Sequence, residues 1–159
     1  MDSVAVLGST GSGAYLDRAE RAAVVRCAVD VAGRTPVIAG VSALRTADVL
    51  AHAEDAAAAG AAALLLAPMT CQALTEDEVV GLFADASAAM DLPIVLYDNP
   101  GTTHVAMTPH TYGRIAAEAP VSAADRGWAV AECLARPVRP LPEAARAHAA
   151  AVARELGLD

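Results

Sequence analysis

VAVLGSTGSGAYLDRAE, residues Val4 to Glu20, runs from an apolar segment through Gly8, Gly11 and Gly13 into the start of a helix. A phosphate-binding P-loop needs Gly, four residues, then Gly-Lys-Ser/Thr, because backbone N–H groups wrap the phosphates while a lysine neutralises them. Gly8 and Gly13 have that separation, but Ala14 and Tyr15 stand where the lysine and hydroxyl belong. The dinucleotide fingerprint fails as well, since Leu16 occupies the position where a third small residue would let the helix pack closely. The stretch therefore reads as a strand-to-helix turn of another kind. Asp17 and Glu20 have capping-box spacing, which starts the helix.

The same unit recurs along the chain. Short aliphatic segments at Ser3–Leu7, Pro36–Ala39, Ala62–Leu66 and Pro93–Tyr97 are each followed by a glycine, proline or polar break and a helix-like stretch. Their spacing of roughly thirty residues is that of a strand plus a helix. Thr75 with Glu78 has capping-box spacing, and Thr108 before Pro109 reads as an N-cap with a first-turn proline. Val24, Val25, Ala28, Val29 and Ala32 share one helical face, as do Val79, Leu82, Phe83, Ala86 and Met90. Gly33 and Gly60 fall where left-handed C-caps are wanted. Strands that are apolar throughout and alternate with helices predict an α/β fold with a parallel sheet. Ligands of such sheets lie at the carboxyl ends of the strands. Here those ends are 8–11, 40–42, 68–71 and 97–103, the polar, glycine-marked parts of the chain. After about Ala119 the rhythm stops. Residues 120–159 read as a junction, a short helix near Gly127–Ala135, a proline-rich connector over Arg136–Pro142 and a final helix to about Leu156.

Composition narrows the partners. A chain of 159 residues, 55% of them hydrophobic, has material for a core, but one Phe, one Trp and three Tyr mean that Ala, Val and Leu must build it. A net charge of −8 provides no basic footprint for nucleic acid. The longest apolar run, residues 56–69, is shorter than the ~20 residues of a membrane span and ends near a proline, and the start of the chain lacks the basic flank of a signal peptide. Cys27, Cys71 and Cys133 are dispersed, without disulfide or zinc spacing, which fits a reducing cytoplasm. Small molecules are the expected ligands. The basic residues are eleven arginines, with no lysine.

The strand ends together resemble the dihydrodipicolinate synthase / N-acetylneuraminate lyase family of class I aldolases and lyases. The resemblance is carried by LGSTG at Leu7–Gly11, YLDRAER at Tyr15–Arg21, PVIAGVSALRT at Pro36–Thr46, APMT at Ala67–Thr70 and LPIVLYDNPGTT at Leu92–Thr103, in order and over residues 3 to about 119. The tail from Arg136 is similar to that family's C-terminal segment. The implied fold is a (β/α)8 TIM barrel, which typically takes about 250 residues. Residues 1–119 then correspond to about four βα units, the second to the fifth. The first and the sixth to eighth are absent, with a junction near Val121–Gly127.

The resemblance implies Schiff-base condensation or cleavage of a small 2-oxo acid such as pyruvate. The imine-forming lysine belongs to the sixth strand, which this chain lacks. Arginine cannot replace it, because its guanidinium stays protonated. By position, Tyr97 and Thr10 match proton-relay residues, while Ser9, Thr10 and Gly40 match the part of the site that holds the substrate. Three positions depart from the family pattern. Ser12 stands for a glutamate common among members. Thr102 stands for the synthases' carboxylate-gripping arginine. Met69 and Thr70 stand for an aromatic pair, one of which completes the relay across a subunit interface. The expected state is a truncated lyase homologue, inactive alone, needing no cofactor or metal. The alternative is a half-barrel that self-associates or pairs with a chain supplying the missing units and the lysine.

The residues also admit plainer readings. Ser9 and Thr10 suit a turn or cap, and Tyr97 suits a core-edge position. Turn chemistry before Pro100 accounts for Asp98 and Asn99. His104 and His110 are six residues apart without ligand spacing, His52 and His148 read as solvent-facing, and Cys71 has no identifiable base.

Overall fold

The computed structural model describes residues 3–119. The expected junction, proline-rich connector and C-terminal helix, together with Cys133 and His148, lie outside the described residues. The elements follow one another as β1 (Val4–Val6), a 3₁₀ turn (Gly13–Tyr15), α1 (Arg18–Ala32), β2 (Val37–Gly40), α2 (Thr46–Ala58), β3 (Ala63–Leu66), α3 (Glu76–Ala89), β4 (Ile94–Leu96), α4 (Pro100–Thr103) and α5 (Pro109–Glu118). The strands form a single parallel sheet in the order β1-β2-β3-β4. Sequential parallel order with a helix after each strand is the arrangement of consecutive units of a (β/α) barrel.

Register explains which side chains make the core. Ala39 pairs with Leu64 and Leu64 with Ile94, so these residues form a row on one sheet face. That row joins Val25, Val49, Ala53, Val79, Val80, Phe83 and Ile115 of the helices in one buried cluster. On the other face, Ile38 pairs with Ala63, and Gly40, Leu65 and Val95 form the next row. Ile38, Ala63, Leu65 and Val95 are only half-buried and Ala5 is exposed, so among the described residues the helices cover one side of the sheet and the opposite side is open. Phe83, Leu64, Leu66 and Ile115 are fully buried, and Ala and Val fill much of the space around these larger side chains.

The helix starts follow the expected chemistry. Asp17 and Thr75 each cap the backbone N–H three residues on, and Glu20 and Glu78 reach back to complete both boxes. Thr108 caps α5 with Pro109 in the first turn, and Thr111 closes this box in place of an acid. Glu76 accepts from Thr111 Oγ1 at 2.7 Å and lies 3.1 Å from His110 Nδ1, joining α5 to the start of α3. These hydrogen bonds hold the Glu76 carboxyl below its ordinary range.

Several details differ from the sequence reading. The first strand stops at Val6, because Leu7 takes a positive φ of 62° and turns the chain out of the sheet. Val24 is 36% exposed; the inner face of α1 runs through Arg21, Ala22 and Val25 instead. Gly33 and Gly60 have positive φ, 61° and 88°, but Gly33 has ψ −105° and so leaves the left-handed helical well. His52 is half-buried rather than solvent-facing, with Nδ1 enclosed.

Candidate functional site

The site is built at the carboxyl ends of β1 and β4. Leaving β1, the chain bends at Leu7, and its carbonyl lodges between two glycines. A Cβ on Gly13 would lie 2.4 Å from the Leu7 oxygen, and one on Gly40 2.3 Å from it. Only glycine permits so close an approach at these two positions. Arg21, 5% exposed, reaches from α1 and ties the same region together. Its guanidinium donates to the Gly13 carbonyl at 2.6 Å and the Gly40 carbonyl at 2.9 Å, with Ser42 O at 3.4 Å. Burial lowers the pKa of Arg21 from its ordinary value. The neighbouring His52 is likewise lowered, by burial and then by the Arg21 charge.

This fixed bend carries Ser9 and Thr10 onto an exposed turn in which Ser9 O accepts from Ser12 N–H. Ser9 Oγ lies 3.1 Å from Tyr97 Oη, although the two are 88 residues apart in sequence. Tyr97 continues β4, its N–H donating to Leu66 O at 2.8 Å, and it stands two residues beyond Val95 on the open face of the sheet. Asn99 Nδ2 donates to the same phenol oxygen at 3.0 Å. Tyr97, Ser9 and Asn99 thus form a polar cluster of two hydroxyls and a carboxamide on the side that the described helices do not cover. At the end of β2, Gly40 is buried beneath this turn, and Ser42 Oγ accepts from Ala67 N–H at 2.8 Å.

Asp98 and Asn99 do more than the turn reading assigned to them. Asp98 accepts from the Tyr112 hydroxyl of α5, while its Oδ1 is buried without a hydrogen-bond partner among the described residues. Burial and then the Asp98 contact raise the pKa of Tyr112. Thr102 Oγ1 is 3.2 Å from the Asn99 carbonyl, closing the turn that follows. His104 occupies the left-handed C-cap of α4, whereas His110 lies on α5 against Glu76, so the two serve different elements. Cys71 is exposed and free in the loop after β3. The sequence reading gives Arg21 no role and Asn99 only a place in the turn before Pro100. The only local signal for Arg21 was its position on the otherwise apolar inner face of α1.

The model of the dihydrodipicolinate synthetase family matches residues 1–130. The 4-hydroxy-tetrahydrodipicolinate synthase of Methylococcus capsulatus is 37% identical over 116 residues, which cover 72% of this chain and 40% of that protein. The crystal structure of dihydrodipicolinate synthase from Agrobacterium tumefaciens superposes with a TM-score of 0.73 at 40% identity, over 79% of this chain and 45% of that one. The chloride-inhibited dihydrodipicolinate synthase of Acinetobacter baumannii, solved in complex with pyruvate, gives a TM-score of 0.69 at 30% identity, over 73% and 40% of the two chains. This chain spans about 40% of the length of the curated relatives it matches. Its parallel sheet and alternating helices are part of a (β/α) barrel, and the chain belongs to the dihydrodipicolinate synthetase family.

Proposed function

We propose that this chain keeps a small 2-oxo acid site of the pyruvate type, formed by Ser9, Thr10 and Tyr97, without the means to form an imine by itself. The observation that carries this reading is the Ser9–Tyr97 hydrogen bond, in a sequence containing no lysine. The ancestral chemistry makes or breaks a carbon–carbon bond next to a carbonyl that has become an iminium. In that chemistry an amine converts the carbonyl into the electron sink. The guanidinium of Arg21 is committed to backbone carbonyls and is a non-nucleophilic cation. Ser9 and Thr10 would hold the carboxylate with hydroxyl and backbone donors, and Tyr97 would hold the Ser9 hydroxyl in place. Gly40 contributes by admitting the Leu7 carbonyl that shapes the turn. The pyruvate complex of the Acinetobacter relative supports this ligand class. The dispersed cysteines, with Cys27 and Cys71 free, support a cytoplasmic setting; no helix among the described residues is long and apolar enough to cross a membrane.

Calorimetric titration of pyruvate into the full chain tests the site. Ser9→Ala should weaken binding about tenfold, as expected for removing one hydrogen bond to a charged group. Binding that is indifferent to Ser9→Ala and Tyr97→Phe would contradict the assignment.

A second reading is favoured by a separate observation. Among the described residues β1 and β4 are edge strands, and the apolar residues Ile38, Ala63, Leu65 and Val95 face away from the helices. Such a sheet calls for a covering layer. Self-association is the proposed means, with pairing to a chain that supplies further units as the other outcome. Light scattering after size exclusion should give at least twice the chain mass; a stable monomer would refute self-association.

A further inference from the structure

Asn99 occupies the N-cap of α4, where an asparagine side chain ordinarily accepts a backbone N–H of the first turn. Here its side chain makes no such cap. The turn closes instead on the Asn99 carbonyl, which accepts the N–H groups of Thr102 and Thr103 at 2.9 Å each and Thr103 Oγ1 at 3.0 Å. The residue is therefore anchored through its backbone, and its carboxamide is available for Tyr97.

The chemistry of the three groups sets a direction. An amide nitrogen can only donate, so the Tyr97 oxygen is the acceptor of the 3.0 Å contact from Asn99 Nδ2. The single phenol proton is then free for the other neighbour, Ser9 Oγ, at 3.1 Å, a contact in which either hydroxyl can donate. With Tyr97 as the donor, Ser9 accepts and its own proton is left for a partner outside the cluster, where the side chain is exposed. With the carboxamide reversed, Tyr97 would donate to Asn99 and Ser9 would donate inward, leaving no hydroxyl proton for a ligand oxygen.

We propose that Asn99 is a positioning residue for Tyr97, orienting the hydroxyl chain Asn99 to Tyr97 to Ser9 so that Ser9 offers its proton to an anionic oxygen of the bound 2-oxo acid. The ligand part of this inference rests on the site proposed above; the hydrogen-bond part does not.

Asn99 and Gln72 are the only side-chain amides in the sequence, so a ¹⁵N-labelled full chain shows two NH₂ pairs. One Asn99 proton should exchange with water about tenfold more slowly than those of exposed Gln72, and Tyr97→Phe should remove the difference. Equal rates in the parent chain, or protection that survives Tyr97→Phe, would overturn the inference whether or not pyruvate binds. In pyruvate titrations, Asn99→Leu should weaken binding about fivefold in the parent and have no effect in Tyr97→Phe. An equal loss in both backgrounds would mean that Asn99 acts apart from Tyr97 and would also overturn it. If the parent binds no pyruvate while the slow amide proton persists, the ligand assignment falls and the Asn99–Tyr97 pairing is supported.

Discussion

Gly40→Ala tests the bend that places Ser9. The added Cβ would meet the Leu7 carbonyl oxygen at 2.3 Å and its carbon at 2.7 Å. Comfortable C···O approaches begin near about 3.3 Å, so β1 and β2 must separate by roughly 1 Å or Leu7 must abandon its turn. Both partners are backbone, which leaves no flexible side chain to absorb the overlap. Overpacking of this kind costs about 1–3 kcal/mol. Displacement of the Gly40 carbonyl also weakens a charge-assisted bond from buried Arg21, worth about 1.5–3 kcal/mol. The combined loss is about 2.5–6 kcal/mol, a large share of the ~5–15 kcal/mol available to a domain. With a urea slope of about 2 kcal/mol per molar, the midpoint should fall by about 2 M. Gly81→Ala is the matched control. Gly81 lies inside α3 with nothing within 4 Å of an added Cβ, and alanine there should stabilise by about 0.5–1 kcal/mol. Circular dichroism during urea titration reads both. A Gly40→Ala midpoint within about 0.5 M of the parent would refute the argument that the Leu7 carbonyl is locked between glycines.

Phe83→Ala should lose about 3–5 kcal/mol in the same titration, since Phe83 is fully buried in a core with few other large side chains. Thr75→Ala removes the cap of α3 and should cost about 1 kcal/mol, with Thr108→Ala similar at α5. His52 predicts a pH dependence. Burial and the Arg21 charge lower its folded pKa, so the fold favours the neutral ring and the unfolded chain binds more protons. The resulting stability is full above the ordinary value of about 6.5 and is lost as pH falls through the lowered folded value. Thermal melts across that window should show the slope in the parent and a reduced slope in His52→Gln.

Much of the architecture was legible because it depends on local patterns. Aliphatic runs marked all four strands. The Asp17–Glu20 and Thr75–Glu78 pairs marked helix starts through hydrogen bonds spanning only three residues. The site was less legible because its geometry is made by long-range contacts. Nothing near Leu7 announces a positive φ; it follows from the space that Gly13 and Gly40 leave. Arg21 on a helix suggests a solvated charge, and its burial depends on carbonyls from β2 and the 3₁₀ turn. Asn99 before Pro100 has the composition of a turn, yet Tyr97 diverts its carboxamide. The burial of His52 is hidden for the same reason, since Asp48 and Asp55 flank it on α2 while Arg21 and Gly40 come from other elements. Tyr97 and Ser9 were singled out through the family resemblance, and the fold brings their hydroxyls into contact.

The most direct test of the central claim is mass spectrometry of the full chain after incubation with pyruvate and borohydride. The account predicts binding at the Ser9–Tyr97 site with no reduced pyruvate adduct on any internal residue, since the sequence provides no lysine amine there. An adduct mapped to an internal side chain, with no second polypeptide present, would contradict it.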